Sequence, residues 1–412
     1  MQRLIFHVDV NSAFLSWEAA RRAAAGEADL RLIPSAIGGD RDKRTGIILA
    51  KSIPAKAFGV TTGEPVGMAL RKCPQLVLAP PDFRLYSKNS KAFIAVCRRY
   101  APVVEQVSID ECFLDMTGTG LLYPDPVAIA HIIKDTIFSE LGFTVNVGIA
   151  PNKLLAKMAS DFEKPDKVHT LFAHEIPQKL WPLPVGSLFS VGRSTAEKLT
   201  AARIRTIGDL AQADLAYIQR LTGVKLGKLI HDYANGIDDA PVLSEPEAVK
   251  DSGNSVPLDK GVTTQAPANQ ILLALCDSVA SRMRADSRRC ACVTVTIRGN
   301  DFRNRSHQRR LPEPTDVTAE LYAMSRTLFS ELWDGVTPLR LLGVTLNDLC
   351  GDDAVQLSLF RDEKTERARK LDQTVDQLRG KFGVTAISRG SVTDASRRVG
   401  RKYKAELDPG QK

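Results

Sequence analysis

Ser108-Ile109-Asp110-Glu111 and, far upstream, Val8-Asp9-Val10 are the stretches on which the reading of this chain turns. Leu4-Ile5-Phe6-His7 leads into the first acid, and Val103-Val104 and Val107 lead into the acidic pair. Such short apolar, β-branched runs predict central strands, here around residue 9, over 105–109 and over 113–116. Carboxylates at the ends of neighbouring buried strands are forced together, which is costly unless a cation shares the space. Asp9, Asp110 and Glu111 can between them hold a pair of Mg2+ ions about 3.5–4 Å apart, the arrangement that drives in-line phosphoryl transfer. The other reading is of ordinary strand-end acids in salt bridges or caps.

Length and charge fix the setting. A chain of 412 residues exceeds one compact core and predicts several domains of about 100–150 residues or smaller. The net charge of +8 and pI near 9.1 favour a polyanionic partner. Seven cysteines form no framework, and Cys290-Ala291-Cys292 is too tight for the usual metal-ligand spacing, so a reducing cytoplasm is expected. No signal peptide and no membrane-spanning apolar run is legible.

Strand and helix patterns alternate up to about residue 165, with helices predicted over 16–25, 85–99, 126–141 and 152–162, an α+β catalytic core. From 183 to 235 the pattern is helical. There Gly192 opens a helix in a tight turn, so free backbone N–H groups can face a phosphate. The polar stretch 243–260 shows no period and reads as a linker. Helices over 270–284 and 315–333 and strands over 292–297 and 339–347 then predict a small α+β unit. Nine arginines and no lysine fall between Arg282 and Arg310, against only Asp286 and Asp301. Guanidinium matches phosphate bidentately, so Arg298, Arg303 and Arg305 are expected to track a nucleic-acid backbone. Phe302 is the one aromatic among them, so base stacking is not indicated. Gln356-Leu357-Ser358-Leu359-Phe360 is either an apolar peptide for a partner's pocket or a piece docked on its own domain. Leu371, Val375, Leu378 and Phe382 form a helical stripe expected to dock or to meet a partner.

Taken together, His7-Val8-Asp9-Val10-Asn11-Ser12-Ala13-Phe14, the Ser-Ile-Asp-Glu block, and the run from Gly148 through Lys153, Lys157 and Asp161 to Lys164-Pro165 resemble the Y-family translesion DNA polymerases, in particular their bacterial DinB/UmuC-like group. The resemblance runs in order from the first strand to about Phe360. It implies a multidomain α+β right-hand polymerase, with palm and fingers over 1–170, a helical thumb with a helix-hairpin-helix over 171–242, a linker over 243–260, an α+β little finger over 261–349, and a clamp-binding peptide with a basic tail over 350–412. It implies Asp9, Asp110, Glu111 and the Val10 carbonyl as ligands of two Mg2+ ions. Phe14 would be the steric gate against a ribose 2′-OH, with Lys56 and Lys153 on the incoming triphosphate. Gly192 and the little-finger arginines would contact DNA. Gln356, Leu357, Leu359 and Phe360 would bind the sliding clamp, the β subunit of DNA polymerase III.

Some positions depart from the family pattern. Ile53 and Lys56 stand where the family carries Tyr and Arg, Asn11 where many members have a second Asp, and Ser190 and Arg203 where glycines are common. The implied activity is template-directed, low-fidelity lesion-bypass synthesis by a cytoplasmic monomer, on primer-template DNA and dNTPs. A catalytically inactive, clamp-bound accessory protein of a mutasome is the alternative, and it should have lost a metal carboxylate. A palm-type nucleotide cyclase would not need the arginine-rich unit. A purely binding helix-hairpin-helix factor would leave the N-terminal acids unexplained.

Overall fold

The computed structural model describes residues 3–40, 46–245, 248–351, 363–383 and 386–390, apart from the side chains of 259–261. The chain forms two compact units, Met1–Pro246 and Glu247–Lys412.

In the first unit lie β1 (Ile5–Val10), β2 (Ser35–Gly38), β3 (Ile48–Lys51), β4 (Val77–Ala79), β5 (Val103–Gln106), β6 (Glu111–Asp115), β7 (Val145–Ala150) and β8 (Val168–Thr170). Five of them form one sheet in the order β5-β6-β1-β7-β8, so the first strand of the chain becomes its centre. β1 is a near-continuous apolar run because both of its faces are covered. Phe6, Val8 and Val10 point into the core built with the helices Ala13–Ala24, Phe83–Cys97 and Pro126–Leu141. On the opposite face Ile5 joins a second core with Leu154, Leu155 and Met158 of the helix Lys153–Ser160. That core continues into the helical segment, through Leu199, Ile207, Ile218 and Ile230. The sheet, the helix Lys153–Ser160 and the helical segment therefore share one apolar interior.

The remaining three strands form a small sheet, β3-β2-β4. Ile37 and Ala50 look toward the palm core, while Ala36 and Ile48 pack with Ala55, Val60, Val66, Ala69, Cys73 and Leu76 in a separate cluster.

The second unit contains β9 (Ser252–Val262), β10 (Arg288–Gly299), β11 (Asn304–Thr315) and β12 (Leu339–Gly351), ordered β11-β10-β12-β9. The helices Gln265–Ala285 and Thr318–Leu332 bury one face of this sheet. One expectation is corrected here: the stretch 243–260 is not all linker, since β9 pairs with β12, Val256 opposite Leu342. The arginine-rich run spreads over three elements, with Arg282 and Arg284 ending the helix Gln265–Ala285, Arg288, Arg289 and Arg298 in β10, and Arg305, Arg309 and Arg310 in β11, an edge strand paired with β10. Edge strands lack the alternating apolar signal because one flank and much of both faces meet water.

The helix Glu363–Phe382 closes the unit, but not through its apolar stripe. Leu371 and Phe382 are 58% and 63% exposed, while Asp372 is 4% exposed. Asp372 accepts from the Thr318 N–H at 2.8 Å and from Arg389 at 2.6 Å, and Arg284 lies 3.5 Å away. Arg379 pairs with Asp277 at 2.7 Å, Arg369 with Asp316 at 2.9 Å and Arg284 with Asp376 at 2.7 Å. This helix is docked by ion pairs. Among the described residues no helix is long and apolar enough to cross a membrane, and the seven cysteines are free thiols. Residues 356–360 lie outside the described residues.

Candidate active site

The register of the central sheet sets Asp9 directly opposite Glu111 across the β1–β6 pair. Asp110 falls in the bend just before β6, where its carbonyl accepts the Val10 N–H at 3.0 Å. The strand predicted over 105–109 ends at Gln106 instead, and the bend is organised by Ser108. Its hydroxyl donates to Asp110 Oδ1 at 2.6 Å and accepts the N–H groups of Asp110 and Glu111 at 3.2 and 3.1 Å. One serine thus fixes the backbone of both acids and the side chain of one.

Each acid has a different partner. The Glu111 carboxylate accepts from His7 Nε2 at 2.9 Å and from the Lys157 ammonium. The His7 hydrogen bond and the Lys157 charge hold its pKa down to about 2, against the opposing effect of burial. The Asp9 carboxylate accepts from the Lys164 ammonium. Burial nevertheless holds the Asp9 pKa above its ordinary value, with the Lys164 charge opposing. Among the described residues no three His, Cys, Asp or Glu side chains converge into a ready-made metal cage. Two ammonium groups stand on the carboxylates instead, and they mark where positive charge is wanted. Three hard oxygen donors at opposed and consecutive backbone positions suit a small divalent cation. One of them, Asp9, is under-compensated even with Lys164 beside it. The donor set therefore fits a divalent metal.

A cleft of about 450 Å³ joins Asp9 and Asp110 to the small sheet, and Glu111 is not among its lining residues. Asp9, Val10, Phe14, Asp110 and Lys164 line one side, and Lys51, Ser52, Ile53 and Lys56 the other. Phe14 sits in the first turn of the helix Ala13–Ala24, whose leading residue Ser12 has φ 48° and gives no side-chain cap. Of the expected nucleotide-binding residues, Phe14 and Lys56 line the cleft. Lys153 does not line it. Its ammonium lies between the two Glu105 carboxylate oxygens at 2.7 and 2.8 Å and over the Phe113 ring. Lys164 occupies the cleft in its stead. The strand and helix patterns around Lys164 gave no sign of this, because its placement depends on distant stitches. Asn11 Oδ1 accepts the Asp166 N–H, and Asn146 Nδ2 donates to the carbonyls of Ser160 and Glu163.

In the helical segment Gly192 is the residue before the helix Arg193–Ala201, with no side-chain cap. Ser190 and Arg203 keep φ of 72° and 67°, so the hairpin retains left-handed turns without glycine. In the second unit, Arg309 pairs with Glu331 at 2.9 Å and Arg310 with Asp348 at 2.7 Å. Arg298 donates to Asn304 at 2.7 Å, and Arg305 lies 3.6 Å from Asp301. The Arg303 side chain has no hydrogen bond or ion pair among the described residues, and only its backbone N–H is engaged, by Asp301.

Comparison with known proteins places these features in one lineage. Residues 8–161 match the impB/mucB/samB family, residues 249–359 its C-terminal domain, and residues 186–238 the thumb domain described from DNA polymerase-iota. DNA polymerase IV of Clostridium acetobutylicum is 44% identical over 396 residues, covering 96% of this chain and 99% of that one. DNA polymerase IV 1 of Halalkalibacterium halodurans is 36% identical, covering 96% of this chain and 95% of that one. A solved Y-family DNA polymerase chimera superposes with a TM-score of 0.73 over 85% of this chain and all of its own, at 21% identity, a likeness of fold. The α+β architecture with helical thumb and little finger is thus that of its relatives, and the chain belongs to the impB/mucB/samB family of Y-family DNA polymerases.

Proposed function

We propose that this chain is a low-fidelity, template-directed DNA polymerase acting in translesion synthesis, extending a primer 3′-hydroxyl with dNTPs. The observation that carries the reading is the Asp9–Glu111 register beside a cleft that also holds Asp110, Phe14 and three lysines. Asp9, Asp110, Glu111 and the Val10 carbonyl would hold two Mg2+ ions. When bound, these supply charge neutralisation on the triphosphate and a lowered pKa at the attacking hydroxyl.

The chain's own groups do the rest. Lys51, Lys56 and Lys164 bring positive charge to the triphosphate, and Lys153, paired with Glu105 in the free chain, would contact it as well. The uncapped first turn after Ser12 adds backbone N–H groups to the same pocket. The Phe14 ring fills the space of a 2′-hydroxyl and selects deoxynucleotides by exclusion. Lys56 keeps the charge of an arginine without its planar fork, and Ile53 offers no hydroxyl, so the triphosphate is held with fewer directed hydrogen bonds.

Gly192 in the thumb and Arg298, Arg303 and Arg305 in the little finger would track the DNA backbone. Gln356, Leu357, Leu359 and Phe360 would anchor the sliding clamp. We assign palm and fingers to 1–170, thumb to 171–242, a little finger that begins at β9, and a clamp-binding peptide and basic tail from 350 onward. The enzyme would work as a cytoplasmic monomer. The inactive accessory reading is disfavoured by the presence of all three carboxylates.

Primer extension with Mg2+ and dNTPs, wild type against Asp110→Ala/Glu111→Ala, tests this. Stepwise addition that vanishes in the double variant supports the reading. Equal extension by both moves the active site elsewhere, and no extension by the wild type on tightly bound primer-template restores the accessory reading.

A further inference from the structure

His7 is fully buried in the central strand, where an apolar side chain would fit the pattern of its neighbours. An imidazole in such a place needs partners for both nitrogens, and it has them. Nε2 lies 2.9 Å from Glu111 Oε2, and Nδ1 lies 2.8 Å from the Ser160 hydroxyl. The ring packs on Phe113 with centroids 4.7 Å apart. The helix Lys153–Ser160 brings both Ser160 and Lys157 to this point, and the sheet is shaped to admit it. Gly148 pairs with His7 across β1 and β7. A Cβ at Gly148 would come within 2.0 Å of the Ala156 carbonyl oxygen and 2.5 Å of the Ser160 nitrogen. The missing side chain lets the helix settle onto the strand so that Ser160 reaches the imidazole.

We propose that His7 is a positioning residue for Glu111: together with Lys157 it occupies Oε2, so that Oε1 is the oxygen offered to a cation. Nothing among the described residues hydrogen-bonds to Oε1. With the carboxylate ionised, the Nε2 nitrogen carries the proton that faces it, and Ser160 fixes the ring from behind. A single lysine on a flexible stem would not set the carboxylate's rotation. A ring pinned at both nitrogens and packed at a tilt against Phe113 does.

The inference rests on the reading of Glu111 as a metal ligand, and the test separates the two. Binding of Mn2+ to the protein without nucleotide is measured by electron paramagnetic resonance, for the wild type, His7→Phe, His7→Gln and Glu111→Gln. His7→Phe keeps the packing and removes the hydrogen bonds, and it is expected to weaken Mn2+ binding about tenfold. kcat should fall in step while the KM for dNTP stays put. His7→Gln, which still donates, should recover most of the affinity. Wild-type Mn2+ affinity in folded His7→Phe overturns the role of His7. Wild-type affinity in Glu111→Gln overturns the site itself. Should His7→Phe fail to fold, Ser160→Ala frees the ring from behind and is expected to cost roughly threefold in Mn2+ affinity, with an unchanged value again overturning the proposal.

Discussion

The Phe14 ring lies flat against Tyr86, centroids 4.4 Å apart and planes 10° from parallel, and the buried Tyr86 hydroxyl has no hydrogen-bond partner among the described residues. The residue that faces the cleft is therefore braced by one that carries an unpaired polar atom. Burial pushes that phenol up to about 12. Tyr86→Phe removes the orphan oxygen and keeps the stack, and it is expected to gain about 1 kcal/mol in chemical denaturation. Tyr86→Leu loses the flat contact. Single-nucleotide insertion with rNTPs should then rise relative to dNTPs, and an unchanged ratio would show that Phe14 holds its place unaided.

Asn11 and Asn146 form a matched pair. Asn11 Nδ2 donates to Asn146 Oδ1 at 3.1 Å, and Asn146 spends both amide hydrogens on Ser160 and Glu163 carbonyls. Asn11→Asp sets acceptor against acceptor in a buried site, at a cost of about 1–3 kcal/mol. The segment carrying Lys164 should loosen with it, raising the KM for dNTP more than it lowers kcat.

Glu111 gives the metal-free protein a pH dependence with a definite sign. Its pKa of about 2 in the folded chain lies below the ordinary 4.5, so its contribution is present above pH 4.5. That contribution fades as pH falls from about 4.5 toward 2; the full shift corresponds to about 3 kcal/mol, which solvent screening of the half-buried carboxylate lowers to on the order of 2 kcal/mol. The stability gap between wild type and Glu111→Gln, measured by denaturation in EDTA, should be widest near neutrality and close in acid. A gap that grows in acid would contradict the His7 and Lys157 contacts.

The ion-paired docking of the helix Glu363–Phe382 predicts unequal effects along it. Asp372→Ala leaves the buried Thr318 N–H unpaired and takes one of two carboxylates from Arg284 and Arg389, which keep Asp376 and Asp277, and should cost about 1–3 kcal/mol locally. Hydrogen exchange over 363–382 should accelerate while β10 and β12 stay protected. Leu371→Ala, at an exposed position, should move neither.

On DNA, the arginines should not be equivalent. Arg309→Ala and Arg310→Ala remove charges already answered by Glu331 and Asp348. Arg303→Ala removes an unanswered one and should lower the salt slope of DNA binding by about 1 unit of log K per log salt, without changing sequence preference.

Much of this was legible before any coordinates. Central strands announce themselves because both flanks are filled. β1 and β10 could be read in this way, and the acids beside β1 with them. β9 and β11 could not, because an edge strand such as Asn304–Thr315 carries arginines where the pattern asks for apolar residues. The spacing of Leu371, Val375, Leu378 and Phe382 marks an apolar face but not which face docks, and here ion pairs of both signs do so, Asp372 and Asp376 on arginine and Arg369 and Arg379 on aspartates. In the site, Asp9, Asp110 and Phe14 were legible as strand-end and motif residues. Lys164 was not, since its position depends on Asn11 and Asn146. His7 carried one signal, a lone polar residue two positions before Asp9 and thus on the same face of the strand.

The cluster of Ala36, Ile48, Ala55, Val60, Val66, Ala69, Cys73 and Leu76 shares no member with the palm core. Ile53 and Lys56, set beside Ala55, belong to the wall that this small cluster supports. Ile37 and Ala50 of this small sheet reach the core beneath the carboxylate strands, but the wall carrying Ile53 and Lys56 rests chiefly on packing of its own. A change of side chain at Ile53 or Lys56 therefore reshapes one bank of the cleft and leaves the bank with Asp9 and Asp110 in place.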